Sequence, residues 1–207
     1  MKVAIVNYGM GNLGSVRRAL EDLGVEPFIA DHPSALLDAN RIVLPGVGAF
    51  SEGMSRLQDG GWVQAIRQLV QMDRKPLLGI CLGMQMLAGA GEEGGAVAGL
   101  DLIAGRVRRL DRFGCSLRIP HVGWNDVTFA QAEPLFARIP PHSDFYFVHS
   151  YAFEAGRCDD VAASTSYGVT FTAAVRHENV FGTQFHPEKS SKAGRQLLRN
   201  FLEFVAC

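Results

Sequence analysis

Lys75-Pro76-Leu77-Leu78-Gly79-Ile80-Cys81-Leu82-Gly83-Met84-Gln85 is the stretch that decides the fold. An apolar, strand-forming run stops at a cysteine set between two glycines, a G-x-C-x-G pattern. In a strand-to-helix turn of this kind the central residue is strained, and its small neighbours let strand and helix pass close together. The side chain presented at the sheet edge is then a thiol. Residues 82–90 contain no proline and are expected to begin a helix directly after Cys81, whose N-terminal dipole would favour thiolate over thiol. A cysteine so held is poised to attack a carbonyl carbon.

Such a nucleophile needs a base that can later act as an acid, held in orientation by a third group. Val180-Phe181-Gly182-Thr183-Gln184-Phe185-His186-Pro187-Glu188 reads as a β-run whose two-residue period would put His186 and Glu188 on one face. Pro187 stiffens the step between them. Glu188 would hold one ring nitrogen while the other faces Cys81. Taken alone, Cys81 reads as a small buried hydrophobe and His186 as a satisfied core histidine. The elbow and the distant His-Pro-Glu together point instead to nucleophile, base and orienter.

Working outward, residues 2–7, 12–23, 25–30, 41–44, 62–72 and 76–80 alternate between strand-like and helix-like patterns. That alternation predicts an α/β fold, a mostly parallel open sheet with helices on its faces. Residues 62–72 carry the helical stripe Trp62, Val63, Ile66, Leu69 and Val70. Residues 162–167, 169–177 and 180–185 are short β-runs joined by tight turns, which predict antiparallel additions in the C-terminal half. A last helix is expected from Ser190, burying Leu197, Leu198, Phe201, Leu202 and Val205. With 207 residues, 47% of them hydrophobic, and no dividing linker, a single domain over 1–207 is expected.

A formal net charge of −1 and scattered Lys and Arg give no field for nucleic acid or an anionic membrane. No segment approaches the roughly 18 apolar residues of a membrane span, and the N-terminal apolar run is too short for a signal peptide. Cys81, Cys115, Cys158 and Cys207 lack C-x-x-C spacing and paired histidines, so neither metal nor disulfide framework is expected; reduced thiols in a cytoplasm fit.

Gly9-Met10-Gly11-Asn12-Leu13-Gly14 is a literal G-x-G-x-x-G between strand and helix, with Asp31 ending the next strand, as in a dinucleotide site. Glycines also serve any tight strand-to-helix turn, and that scaffold reading is preferred. Pro45-Gly46-Val47-Gly48 would emerge at the same carboxyl edge as Cys81. Its glycines leave an amide free to turn, with that of Leu82, toward a forming oxyanion. His32, His142 and His177 sit in turns and are expected at the surface, whereas His121 and His149 stay unassigned.

Gly79-Ile-Cys-Leu-Gly-Met-Gln85 and Gln184-Phe-His-Pro-Glu188 closely resemble the class I glutamine amidotransferases, which use a Cys, His and Glu triad. Four more stretches, residues 7–13, 45–50, 121–125 and 147–151, resemble one branch, the glutaminase subunits of imidazole glycerol phosphate synthases. The resemblance implies a flavodoxin-like fold, Cys81 as nucleophile, His186 as acid and base, and Glu188 as orienter. It implies backbone oxyanion donors at Val47 and Leu82, and a glutamine pocket of Gln85, Glu93, Gly48, His149, Ser150 and Tyr151. Glu92 beside Glu93 leaves the choice of carboxylate to spacing alone. Trp124 and Asn125 would face the synthase partner.

The implied reaction is glutamine hydrolysis through a thioester, without cofactor or metal. The chain leaves almost no residues for a synthase domain, so ammonia would pass to a separate protein, which the resemblance implies is a (β/α)8-barrel cyclase subunit in histidine biosynthesis. The lone subunit is also expected to be a poor glutaminase, because Gly46 and Gly48 let the Val47 amide point away from the oxyanion until the partner binds its own substrate. A glutaminase subunit of another synthase, such as that of pyridoxal phosphate synthesis, is the near alternative. A nucleotide-binding regulatory module on Gly9 to Gly14 is the remote one.

Overall fold

A computed structural model describes residues 1–130 and 132–205, so Cys207 lies outside the described residues. Strand β1 (Lys2–Val6) leads through helix α1 (Leu13–Glu21) to β2 (Glu26–Ala30). Then come β3 (Arg41–Gly46), α2 (Phe50–Asp59), α3 (Trp62–Gln71), β4 (Leu77–Cys81) and the one-turn α4 (Leu82–Gln85). The second half holds β5 (Ala90–Gly91), β6 (Val97–Ala98), β7 (Gly105–Arg109), β8 (His121–Asp126), β9 (Thr128–Phe129) and β10 (Asp144–His149). It continues with β11 (Tyr151–Ala155), β12 (Val161–Ser166), β13 (Thr170–His177), β14 (Val180–Thr183) and α5 (Ser191–Glu203).

The large sheet runs β2-β1-β3-β4-β14-β13-β11-β7-β5-β6, with β12 and β9 branching from β13. Its first five strands are parallel, and β13 enters antiparallel to β14. This is the expected α/β fold with antiparallel additions. Strand β14 belongs to both regions, parallel to β4 on one side and antiparallel to β13 on the other. Its insertion beside β4 brings the residues after Thr183 next to Cys81. A separate ribbon, β8 with β10, lies outside the main sheet.

Side-chain alternation along the parallel strands builds two cores. Val3 and Ile5 pack on the face covered by α1 and α5, Ala4 and Val6 on the face covered by α2 and α3. All five stripe residues of α3 are buried, each such large apolar side chain contributing about 1.5–3 kcal/mol. Asn12 caps α1 by accepting the Ser15 amide at 3.2 Å. Among the described residues no helix is long and apolar enough to cross a membrane.

Three local expectations are corrected. The helix expected over 82–90 is a single turn, because the amides of Leu100 and Leu102 take the carbonyls of Met86 and Leu87, and Ala90–Gly91 joins the sheet as β5. Val205 follows the end of α5 and is exposed, so the apolar stripe closes at Leu202. His186 and Glu188 are not on a strand: β14 ends at Thr183 and Pro187 opens a 3-10 turn. Helix α2 went unread, although Phe50, Met54 and Leu57 mark its buried face.

The elbow depends on backbone contact. A Cβ on Gly83 would overlap the Leu44 carbonyl oxygen, and one on Gly79 would lie 2.6 Å from the carbonyl oxygen of Gly83. Gly83→Ala is therefore expected to cost at least about 1–3 kcal/mol, read as a lower denaturant midpoint. An unchanged midpoint would mean that the crossing of α4 over β3 is slack.

Candidate active site

Cys81 takes φ 55° and ψ −110° at the carboxyl end of β4, paired in register with Gly46 of β3. These angles are costly for a non-glycine residue and hold the sulfur at the sheet edge. Its thiol donates to the Val148 carbonyl at 3.9 Å, and Gln184 Nε2 donates to Sγ at 3.8 Å.

His186 Nδ1 lies 2.8 Å from Glu188 Oε1, and both side chains are almost fully buried. The 3-10 turn over Pro187–Lys189, not a strand period, swings Glu188 back beneath the ring. Ser190 Oγ donates to the His186 carbonyl at 2.6 Å and accepts the Tyr146 amide, locking this turn to β10. His186 Nε2 is buried without a hydrogen-bond partner. Burial pulls the imidazole down, but the Cys81 sulfur and the Glu188 carboxylate outweigh it and push His186 up to about 9.

A cavity of about 490 Å³ opens beside the sulfur and gathers residues from across the chain. Cys81, Leu82 and Gln85 come from the elbow, Val47 and Gly48 from the loop after β3, and His149, Ser150 and Tyr151 from the β10–β11 junction. His186 and Glu93 complete the expected set. Glu188 stands behind His186, lining a separate cleft between α1 and α5. The adjacent carboxylates separate cleanly. Glu93 Oε2 accepts the Phe50 amide at 2.9 Å and faces the cavity, while Glu92 pairs with Arg108.

The loop after β3 is anchored at its base. Tyr8 donates its hydroxyl to the Pro45 carbonyl at 3.0 Å, and burial first, then Cys81, raises this phenol well above its ordinary range. Beyond that anchor Val47 is exposed and Gly48 has φ 108°, a conformation that suits glycine. Leu82, in contrast, is fixed in the elbow.

Trp124 and Asn125, expected together at a partner surface, face opposite ways. Trp124 is 53% exposed on the outer face of the β8–β10 ribbon with Val122 and Val148. Asn125 turns inward and donates to the Ser166 carbonyl at 2.9 Å, since adjacent strand residues alternate faces. Asp31 accepts from Asn7 at 2.7 Å, which gives it a structural role at the end of β2. His32 and His142 are exposed as expected, but His177 is half-buried against the buried Asp160. Among the described residues no group of three His, Cys, Asp or Glu side chains could hold a metal ion.

Sequence reading missed the hydrogen-bonded pair inside the ribbon. His149 Nδ1 donates to the Tyr151 carbonyl at 2.8 Å, leaving Nε2 to accept from His121 Nδ1 at 3.1 Å. His121 stacks on Tyr167 with ring centroids 4.1 Å apart. Burial pulls His121 down to about 4 and His149 to about 3, so both rings are neutral.

Residues 4–204 match the family model for glutamine amidotransferase class-I, and the chain belongs to that family. More narrowly, it is similar to the imidazole glycerol phosphate synthase subunit HisH of Moorella thermoacetica, 48% identical over 98% of this chain and 95% of the relative. The protein of the same name from Symbiobacterium thermophilum is also 48% identical, over 99% of this chain and 94% of the relative. Among solved structures, one described as a glutamine amidotransferase superposes with a TM-score of 0.76 at 22% identity, covering 97% of each chain. A structure of PurLQS from Thermotoga maritima gives a TM-score of 0.73 at 20% identity, again covering 97% of each chain. These two likenesses concern the fold alone.

The neutral histidine pair carries a stability consequence. An unfolded imidazole protonates near 6.5, so below that pH the unfolded chain binds more protons than the folded one. The pair's contribution is complete above about 6.5 and drains as the pH falls toward the folded values near 4 and 3. Urea midpoints measured down this range are expected to fall, and less steeply in His121→Phe. Equal slopes in the two proteins would refute the assignment.

Proposed function

We propose that the chain is the glutaminase subunit of an imidazole glycerol phosphate synthase, releasing ammonia from glutamine for a separate cyclase subunit. The observation that carries this reading is the line from Cys81 through His186 to Glu188 at the wall of a cavity able to hold an amino acid. Family membership supports glutamine as the substrate, and the names of its near relatives support the particular synthase.

In the proposed cycle the Cys81 sulfur attacks the side-chain amide carbon of glutamine, and the carbonyl electrons move onto oxygen. Amides of Leu82 and Val47 stabilise this oxyanion, a donor of this kind being worth roughly 2.7–4 kcal/mol. The oxyanion collapses, the C–N bond breaks, and His186 Nε2 gives its proton to the departing nitrogen. That nitrogen is unpaired in the resting site, and the raised imidazole keeps its proton up to about pH 9. Water then attacks the thioester with His186 as base, the C–S bond breaks, and glutamate leaves. Glu188 holds the ring and its Nδ1 proton throughout.

Gln85 has both amide protons committed, to the Tyr151 carbonyl and to Gln184 Oε1, each at 2.9 Å. Its Oε1 is therefore the atom available to the ammonium group of bound glutamine, with Glu93 supplying a second acceptor. Gly48 and the backbone of His149, Ser150 and Tyr151 would close around the rest of the amino acid.

The partner surface is assigned to the outer face of the β8–β10 ribbon, where Val122, Trp124 and Val148 form an exposed apolar strip beside the cavity mouth. Such a strip suits a protein partner seated over the site. A (β/α)8-barrel cyclase would there receive ammonia before bulk water does. Asn125 supports that face from behind. The protein is proposed to act as a single domain in the cytoplasm, in keeping with free Cys81, Cys115 and Cys158.

Two experiments test this reading. Cys81→Ala should abolish glutamine hydrolysis yet leave complex formation and ammonia-driven cyclisation intact; residual glutaminase activity would remove the triad. The lone chain should hydrolyse glutamine slowly and accelerate when the cyclase binds its nucleotide, because the Val47 amide must turn inward. Steady-state rates that ignore the partner would exclude this gating.

A further inference from the structure

The first residue after β14 donates to the sulfur and is not a member of the triad. Gln184 is completely buried, and its backbone amide is tied to the Ala173 carbonyl at 2.8 Å. Its side-chain orientation follows from its neighbours. The Tyr151 carbonyl can only accept, so Gln85 must present its NH₂ group there, and the same group donates to Gln184 Oε1. Gln184 must then turn its own NH₂ group toward Cys81 Sγ, 3.8 Å away.

This donor answers a need that the elbow leaves open. Helix α4 is one turn long, so the dipole behind the sulfur is small. A second polar neighbour of Sγ, the Val148 carbonyl, accepts a proton and so favours the thiol, while His186 is the proton carrier of the proposed reaction and not a fixed donor. We propose that Gln184 is the hydrogen-bond donor that holds the Cys81 thiolate, an inference that rests on Cys81 being the nucleophile. A hydrogen bond to a charged acceptor is about twice as strong as a neutral one, so the contact strengthens when the sulfur ionises. It weakens when the thioester forms and the sulfur loses charge. It strengthens again as water cleaves the C–S bond and the electron pair returns to sulfur. Gln184 thus assists the first and last steps.

The titratable groups around the sulfur are His186 with Glu188 behind it, Tyr8 after β1, His149 from β10 and Glu93 in the wall of the same cavity. Tyr8 stays protonated and His149 neutral across the working range. His186 is kept in every variant below.

The test is the pH profile of Cys81 alkylation by iodoacetamide in the full chain without glutamine, read by mass spectrometry. Gln184→Met, which keeps length and loses the donor, should move the profile up by about one pH unit. In complex with the cyclase, kcat for glutamine should fall roughly tenfold. A purely structural Gln184 would lower the melting temperature and leave the profile in place, and that result would overturn the proposal. If Gln184→Met does not fold, the wild-type protein still decides. With ¹⁵N-labelled glutamine side chains, the Gln184 Nε2 resonance should titrate with the thiol and be silent in Cys81→Ala. A flat resonance in the wild type would equally overturn it. Failure of wild-type Cys81 to be alkylated would instead overturn the nucleophile assignment, and the two failures are distinct.

Discussion

The close crossing of the turn after Cys81 over strand β3 is the contact on which the site depends. Gly83 lies against the Leu44 carbonyl with no room for a side chain, and Gly79 is similarly hemmed in by Gly83. Because backbone meets backbone there, β4 must reverse within one residue, and Cys81 takes the strained angles. The same crossing sets Leu82 beside the loop after β3. A Cβ on Gly46 would lie 2.9 Å from the Leu82 Cβ, so the two amide-bearing segments stand shoulder to shoulder. The proposed nucleophile and the proposed oxyanion donors are one steric decision.

A second layer is polar and almost wholly buried. Glu188, His186 and Ser190 form one hydrogen-bonded group, and Gln184, Gln85, the Tyr151 carbonyl, His149 and His121 form another. Buried amides and imidazoles are costly unless satisfied, and here each fixes the donor direction of the next. Cys81 is where the groups meet. His186 Nε2, left without a partner, is the atom the chemistry needs free.

How much of this the sequence disclosed follows from the range of the interactions involved. Elbow and parallel sheet were legible because they rest on local patterns, glycines at fixed offsets and apolar runs of strand length. All ten residues expected along the cavity wall line it, because their motifs lie at strand ends that the sheet brings to one edge. The extent of α4 was misread because its carbonyls are taken by residues 100–103, a contact that no local window contains. His186 and Glu188 do meet, but through a 3-10 turn that proline imposes. The histidine pair escaped because His121 and His149 are paired only by the register of β8 with β10. That the Asn125 side chain turns away from the Trp124 face follows from the same register.

Val148 belongs to two surfaces at once. Its side chain stands on the outer apolar strip, while its carbonyl accepts the proton of the Cys81 thiol. The ribbon is not paired as a strand with the main sheet; the Tyr146 amide and carbonyl tie it instead to Ser190 and His186. A load applied there from outside would be delivered, one peptide thick, to the oxygen that the Cys81 thiol touches.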